Sequence, residues 1–139
     1  MTLGRKAALL ARITFLRSVL PDRVAREPLD LLLPSLTPAG RLAHSDPSLV
    51  GFAEASIESL LKRHWPLRTT CLYRSLVRYA ILRDLGVPVR FVMGIRNDGT
   101  DLAGHAWLEL DGRPHLEVLE HRYTRTFEYP LDARPSLEP

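Results

Sequence analysis

The chain has 139 residues, one domain's length, and 45% apolar with 25% charged residues is an ordinary globular balance that excludes disorder and low complexity. A single cysteine, Cys71, excludes an intramolecular disulfide and a four-cysteine zinc site. The net charge is +3, carried by 17 Arg and only 2 Lys, too small a surplus to make nucleic acid the expected partner.

At the N-terminus, Arg5 and Lys6 precede the apolar run Ala7 to Ala11. Arg12 cuts that run too short for a signal-peptide core. No stretch offers the roughly eighteen apolar residues of a membrane span. The expected location is therefore the cytoplasm, where a lone thiol stays reduced. Leu9, Ile13, Leu16 and Leu20 recur at helical spacing and predict an amphipathic helix over Leu3–Leu20, ended by Pro21. Its apolar stripe fits packing on the rest of the fold or on a partner protein; amphipathic helices normally bury such a stripe locally. A short helix is expected over Val24–Leu33, interrupted near Pro28, and a loop over Pro34–Pro47.

Asp46 can cap the next helix, with Pro47 at its first position. Val50, Ala53, Ile57, Leu60 and Leu61 give it an apolar face, and Pro66 ends it near Trp65. Thr69 or Thr70 caps a further helix over Cys71–Leu85, stopped by Gly86 and Pro88. The period then changes to two. Val89, Phe91 and Met93 alternate with their neighbours in a strand reaching Arg96. Asn97-Asp98-Gly99 is a turn. A second strand covers Gly104–Leu110, Asp111-Gly112 turns, and a third strand runs toward Leu119. Helices followed by an antiparallel meander make an α+β fold, with residues 1–45 as a helical segment and 46–139 as the core of one compact domain.

Cys71 falls at a predicted helix start, where unpaired N–H groups and the positive end of the helix dipole favour a nucleophilic thiolate and can hold an oxyanion. The bland alternative is a small buried hydrophobe. His105 lies in a strand between Gly104 and Ala106, with room for a partner, and suits a proton acceptor and donor for Cys71. A third group must orient that imidazole. Glu117 and Glu120 are the candidates. A clean two-residue hairpin would put Glu120 on the face of His105, whereas an odd loop or a bulge near Pro114 would favour Glu117. The residues alone leave the choice open. His115 and His121 are too loosely spaced from His105 to predict a metal site. Arg74, Arg78 and Arg83 read as a solvated helix face, or as a docking surface for an acidic peptide. Trp65 and Trp107 read as core.

Four segments carry a resemblance: Cys71-Leu72-Tyr73-Arg74-Ser75-Leu76; Leu82-Arg83-Asp84-Leu85-Gly86-Val87-Pro88; Phe91 to Arg96; and His105-Ala106-Trp107-Leu108-Glu109-Leu110-Asp111-Gly112-Arg113-Pro114. Over roughly residues 47–120 the chain resembles the transglutaminase-like cysteine peptidases of lasso-peptide biosynthesis, specifically the peptidase half of the split B protein. The resemblance implies a papain-like core with Cys71 opening a helix and His105 on the adjoining sheet. It places the third catalytic residue at Glu117, where the family usually has Asp, and this departure keeps Glu120 as the alternative. It implies removal of the leader from a ribosomally made precursor; nothing in the residues themselves suggests a cofactor or a metal. The implied partners are the precursor, a small leader-binding protein and an ATP-using cyclase; the charge and the apolar-run lengths above predict no nucleic acid and no membrane. The length fits the split form. Other readings are acyl transfer to an amine, as the wider fold permits, and a non-catalytic Arg-rich peptide-binding module.

Overall fold

A computed structural model of the chain describes residues 3–39, 45–64, 70–97, 99 and 101–131. Among the described residues four helices come first: α1 (Leu3–Arg26), α2 (Leu29–Leu36), α3 (Pro47–His64) and α4 (Thr70–Asp84). Strands β1 (Arg90–Asn97), β2 (Leu102–Leu110), β3 (Arg113–Pro114) and β4 (Thr124–Tyr129) follow, in the spatial order β3-β2-β1-β4. Every pairing is antiparallel, so the fold is α+β, as the pattern predicts.

Leu9, Ile13, Leu16 and Leu20 are buried along α1 as their spacing requires. The helix does not stop at Pro21, however, but runs on to Arg26. An interior proline costs about 3 kcal/mol through its lost N–H and its clash with the preceding turn. Beyond that point Val24 packs, partly buried, against the core. Its burial offsets part of the cost of the proline. Arg23 and Glu27, 2.9 Å apart, add a pair on the following turn. The break falls at Pro28, which is extended at φ −67° and ψ 152°. The expected Val24–Leu33 helix is therefore divided, Val24 joining α1 and Leu29 opening α2. Pro34 sits inside α2, so the expected loop starts only after Leu36.

Asp46 caps α3: its Oδ1 accepts the Ser48 N–H at 3.0 Å and the Leu49 N–H at 3.5 Å. The expected end signals Trp65 and Pro66, and the cap candidate Thr69, lie outside the described residues. Thr70 is already the first residue of α4. Gly86 closes that helix at φ 88°. Its N–H donates to the Arg83 carbonyl at 3.1 Å, and the Val87 N–H donates to the Leu82 carbonyl at 2.9 Å. This is the paired C-terminal closure that favours glycine. It leads the chain from α4 into β1, whose Arg90 stands opposite Glu109 of β2.

One apolar cluster joins α1, α2, α3, α4, β1 and β2. Phe91, Ala106 and Leu108 face it from the sheet. Val92 and Trp107, a register pair on the other face, are also buried, so β1 and β2 are covered on both sides and strict apolar alternation fails there. Sequence reading missed β4, whose Arg, Thr and Glu residues mask its period. The expected third strand toward Leu119 shrinks to Arg113–Pro114. Among the described residues no helix is long and apolar enough to cross a membrane.

Candidate active site

Cys71 is the second residue of α4, half-buried and free. Ser75 stands one helical turn further on, on the same face. Its hydroxyl donates to the Ala106 carbonyl of β2 at 3.1 Å, fixing α4 against that strand. Arg83, near the end of α4, bonds the Val89 carbonyl just before β1, so α4 runs back along the sheet from there and its N-terminal turn lies past Ala106. Cys71 thus lies about one helical turn beyond Ser75 in that direction, while His105 sits in the middle of the ladder opposite Gly94. No hydrogen bond joins Cys71 to His105 among the described residues.

His105 and Glu117 do meet. Nε2 of His105 lies 2.7 Å from Oε2 of Glu117, with both side chains about one-quarter exposed at 22% and 24%. An ionised carboxylate only accepts, so Nε2 carries the proton and Nδ1 is left as the ring's acceptor. The hairpin before Glu117 is the clean two-residue form, with Asp111 at φ 55° and Gly112 at φ 80°. Leu110 faces Arg113 and Glu109 faces Pro114. In that register a continued strand would put Glu117 opposite Ala106, facing away from His105. The ladder ends instead. The His115 N–H makes a last bond to the Leu108 carbonyl at 2.8 Å. Leu116 then takes a left-handed conformation at φ 60°, which costs an L-residue about 1–2 kcal/mol. The irregularity that brings Glu117 to His105 is therefore this turn, and neither an odd loop nor a bulge at Pro114. Glu120 is exposed and lines, with His105, Glu117, His121 and Tyr123, a cavity of about 160 Å³. It makes no hydrogen bond to His105.

The imidazole is held by stacking. Its ring lies 5.8 Å from Trp107 at 19° and 5.6 Å from Tyr123 at 29°. Gly94 faces His105 across β1 and β2, and a Cβ there would stand 2.8 Å from the Tyr123 Cβ and 3.2 Å from Cη2 of Trp107. Absence of a side chain at Gly94 thus lets the aromatic stack close. Trp107 is core, as read from the sequence. Its Nε1–H donates to Glu109 at 3.3 Å, and Arg125 donates to the same carboxylate. Burial pushes the Glu109 carboxyl up, but the bonds from Arg125 and Trp107 and the nearby Arg90 charge outweigh it and hold it below the usual range.

The α4 arginines are not one solvated face or docking surface. Arg78 is buried, with its Nε–H donating to Glu54 at 3.1 Å. The Arg83 Nε–H donates to the Val89 carbonyl at 2.9 Å. The Arg74 side chain, 39% exposed, stands 3.9 Å from Glu58. Sequence reading missed Glu54 and Glu109, since an isolated glutamate carries no signal of burial. His115 bonds Glu54 at 2.9 Å rather than joining His105. Among the described residues no three His, Cys, Asp or Glu side chains converge as metal ligands. A second cavity of about 360 Å³ opens beside Glu117, lined by Glu54, Glu58, Arg74, Arg78 and Leu116.

A helix-start thiol, a strand imidazole and a carboxylate bonded to that imidazole are the parts of a thiol acyl-transfer site. The sequence model of the Transglutaminase-like superfamily matches residues 36–128, well over half of the chain. The chain belongs to that superfamily, which includes cysteine peptidases and transglutaminases. No curated protein and no solved structure matches the chain.

Proposed function

We propose that the chain is a cysteine endopeptidase that removes the leader from a ribosomally made lasso-peptide precursor. The observation that carries the catalytic part is the 2.7 Å pair of His105 and Glu117, in a chain of the transglutaminase-like superfamily whose one thiol opens α4. The lasso-peptide part rests on the sequence resemblance. Nδ1 of His105, the nitrogen that Glu117 leaves open, is the acceptor for the Cys71 thiol. His105 takes the thiol proton, and Sγ bonds the scissile carbonyl carbon. The backbone N–H of Cys71 holds the resulting oxyanion. His105 then gives its proton to the leaving nitrogen as the C–N bond breaks, and the leader stays as a thioester. Water, deprotonated by His105, attacks the thioester and releases the leader carboxylate and the thiol. Glu117 supports the imidazolium in both halves of the cycle. A small leader-binding protein presents the precursor, and a separate ATP-using cyclase consumes the freed amino terminus.

The test is mass spectrometry of a lasso-peptide precursor incubated with the chain and its leader-binding protein. Cleavage at the leader–core junction that disappears in a folded Cys71→Ala variant is expected. Retained cleavage in that variant would overturn the mechanism. A product joined to an added amine in place of the free leader acid would move the reading to acyl transfer.

A further inference from the structure

Three elements converge on His115, two residues before Glu117. The His115 N–H donates to the Leu108 carbonyl of β2 at 2.8 Å. Its Nε2 lies 2.9 Å from Oε2 of Glu54 on α3. Its carbonyl accepts an N–H of Arg78 on α4 at 3.4 Å. Arg78 and Glu54 also bond each other at 3.1 Å, so the two helices and the loop share one ionic cluster. The cluster is well buried, with the Arg78 side chain 5% and the Glu54 side chain 14% exposed. Buried charge of this kind costs desolvation and is weak evidence of a stability role.

The position of the cluster gives it a use. The hairpin register would send Glu117 to the wrong face, and the left-handed turn at Leu116 corrects it. An exposed leucine, 67% accessible, gains little packing that would hold it in that conformation. The constraint must come from a neighbour, and the residue immediately before it is the one tied to β2, α3 and α4. We infer that Glu54, Arg78 and His115 are positioning residues, which clamp the chain ahead of Leu116 so that Glu117 reaches His105. The inference deepens the catalytic reading above and rests on it for its meaning in turnover. The geometry it asserts can be tested without any substrate.

Two His115 variants separate clamping from general support. His115→Gln keeps a donor close to the place of Nε2, whereas His115→Leu keeps bulk and loses the bond. The ring nitrogen and carbon resonances of His105 are followed by NMR in the full chain, and Glu117→Gln defines the spectrum of an imidazole without its carboxylate. Folded His115→Leu is expected to move His105 toward the Glu117→Gln spectrum, and His115→Gln to stay near wild type. On the precursor, His115→Leu should lower kcat about ten- to a hundredfold with KM little changed, and His115→Gln should recover most of it. Should His115→Leu fail to fold, Glu54→Gln serves, with a smaller shift of His105 in the same direction. Wild-type His105 resonances in folded His115→Leu, or in folded Glu54→Gln where that variant is used, would overturn the inference. An unchanged His105 in Glu117→Gln would remove the pair itself and the clamp with it. A wild type that cleaves no precursor, but whose His105 responds as described, would remove the peptidase reading and leave the clamp standing.

Discussion

The superfamily match begins at residue 36, which leaves α1 outside it, yet α1 packs into the common core. Ile13→Ala tests whether that packing is integral to the fold. Ile13 has no solvent exposure and lies in the middle of the Leu9, Ile13, Leu16, Leu20 stripe. Truncation removes three carbons from a site flanked by rigid helices, where collapse is restricted. Large-to-small changes at such sites cost about 2–5 kcal/mol from transfer and residual cavity together. At roughly 4 °C per kcal/mol for a domain of this size, Tm should fall by about 8–20 °C. Phe15→Ala is the control on the same helix, because Phe15 is 56% exposed. It should change stability by no more than about 0.5 kcal/mol. Urea unfolding followed by circular dichroism gives both numbers, read as a change in midpoint at constant slope. Equal effects of the two substitutions, or an Ile13→Ala shift under about 0.5 kcal/mol, would refute the claim that α1 completes the core.

The other predictions concern the sheet and the site. Gly94→Ala should destabilise the chain by about 1–3 kcal/mol by overpacking, and should displace the Tyr123 and Trp107 rings that hold His105, seen as a lower Tm and altered aromatic resonances. Glu109 sits below the usual carboxylate range, so its stabilisation is complete above about pH 4.3, its unfolded-state value. It is lost as pH falls through the lower folded-state value. Urea midpoints across the acid range should therefore drop in wild type and drop less steeply in Glu109→Gln. Glu117→Gln should lower precursor cleavage strongly, by at most about ten-thousand-fold, while Glu120→Gln is nearly silent, because of the two it is Glu117 that bonds His105. Single-turnover kinetics on one precursor decides between them.

Helix faces and caps were legible because local chemistry dictates them. Asp46, Gly86 and the α1 stripe each occupy the place their residue types require. Prolines were less legible, since α1 and α2 continue through Pro21 and Pro34, where tertiary packing offsets part of their local cost. The two-sided cover of β1 and β2 blurred the alternation that marks strands, and β4 stayed hidden for lack of an apolar period. At the site, a helix-start thiol and a small-flanked strand histidine are sequence signals. Which glutamate faces the histidine is not, because one left-handed residue, Leu116, cancels the parity of the whole hairpin. The Glu54–Arg78–His115 cluster was equally invisible, as it joins residues far apart in the chain.

In the proposed mechanism Cys71 and His105 act as one unit, although among the described residues no hydrogen bond joins them. The most direct measurement is the second-order rate of Cys71 alkylation by iodoacetamide near neutral pH, followed by intact mass, in wild type and in His105→Ala. Cys71 is the only thiol, so each added mass reports on it alone. The Cys71–His105 pair predicts fast labelling of the wild type and at least tenfold slower labelling of folded His105→Ala, as expected when a thiolate loses the imidazole that accepts its proton. Equal rates in the two proteins would contradict it.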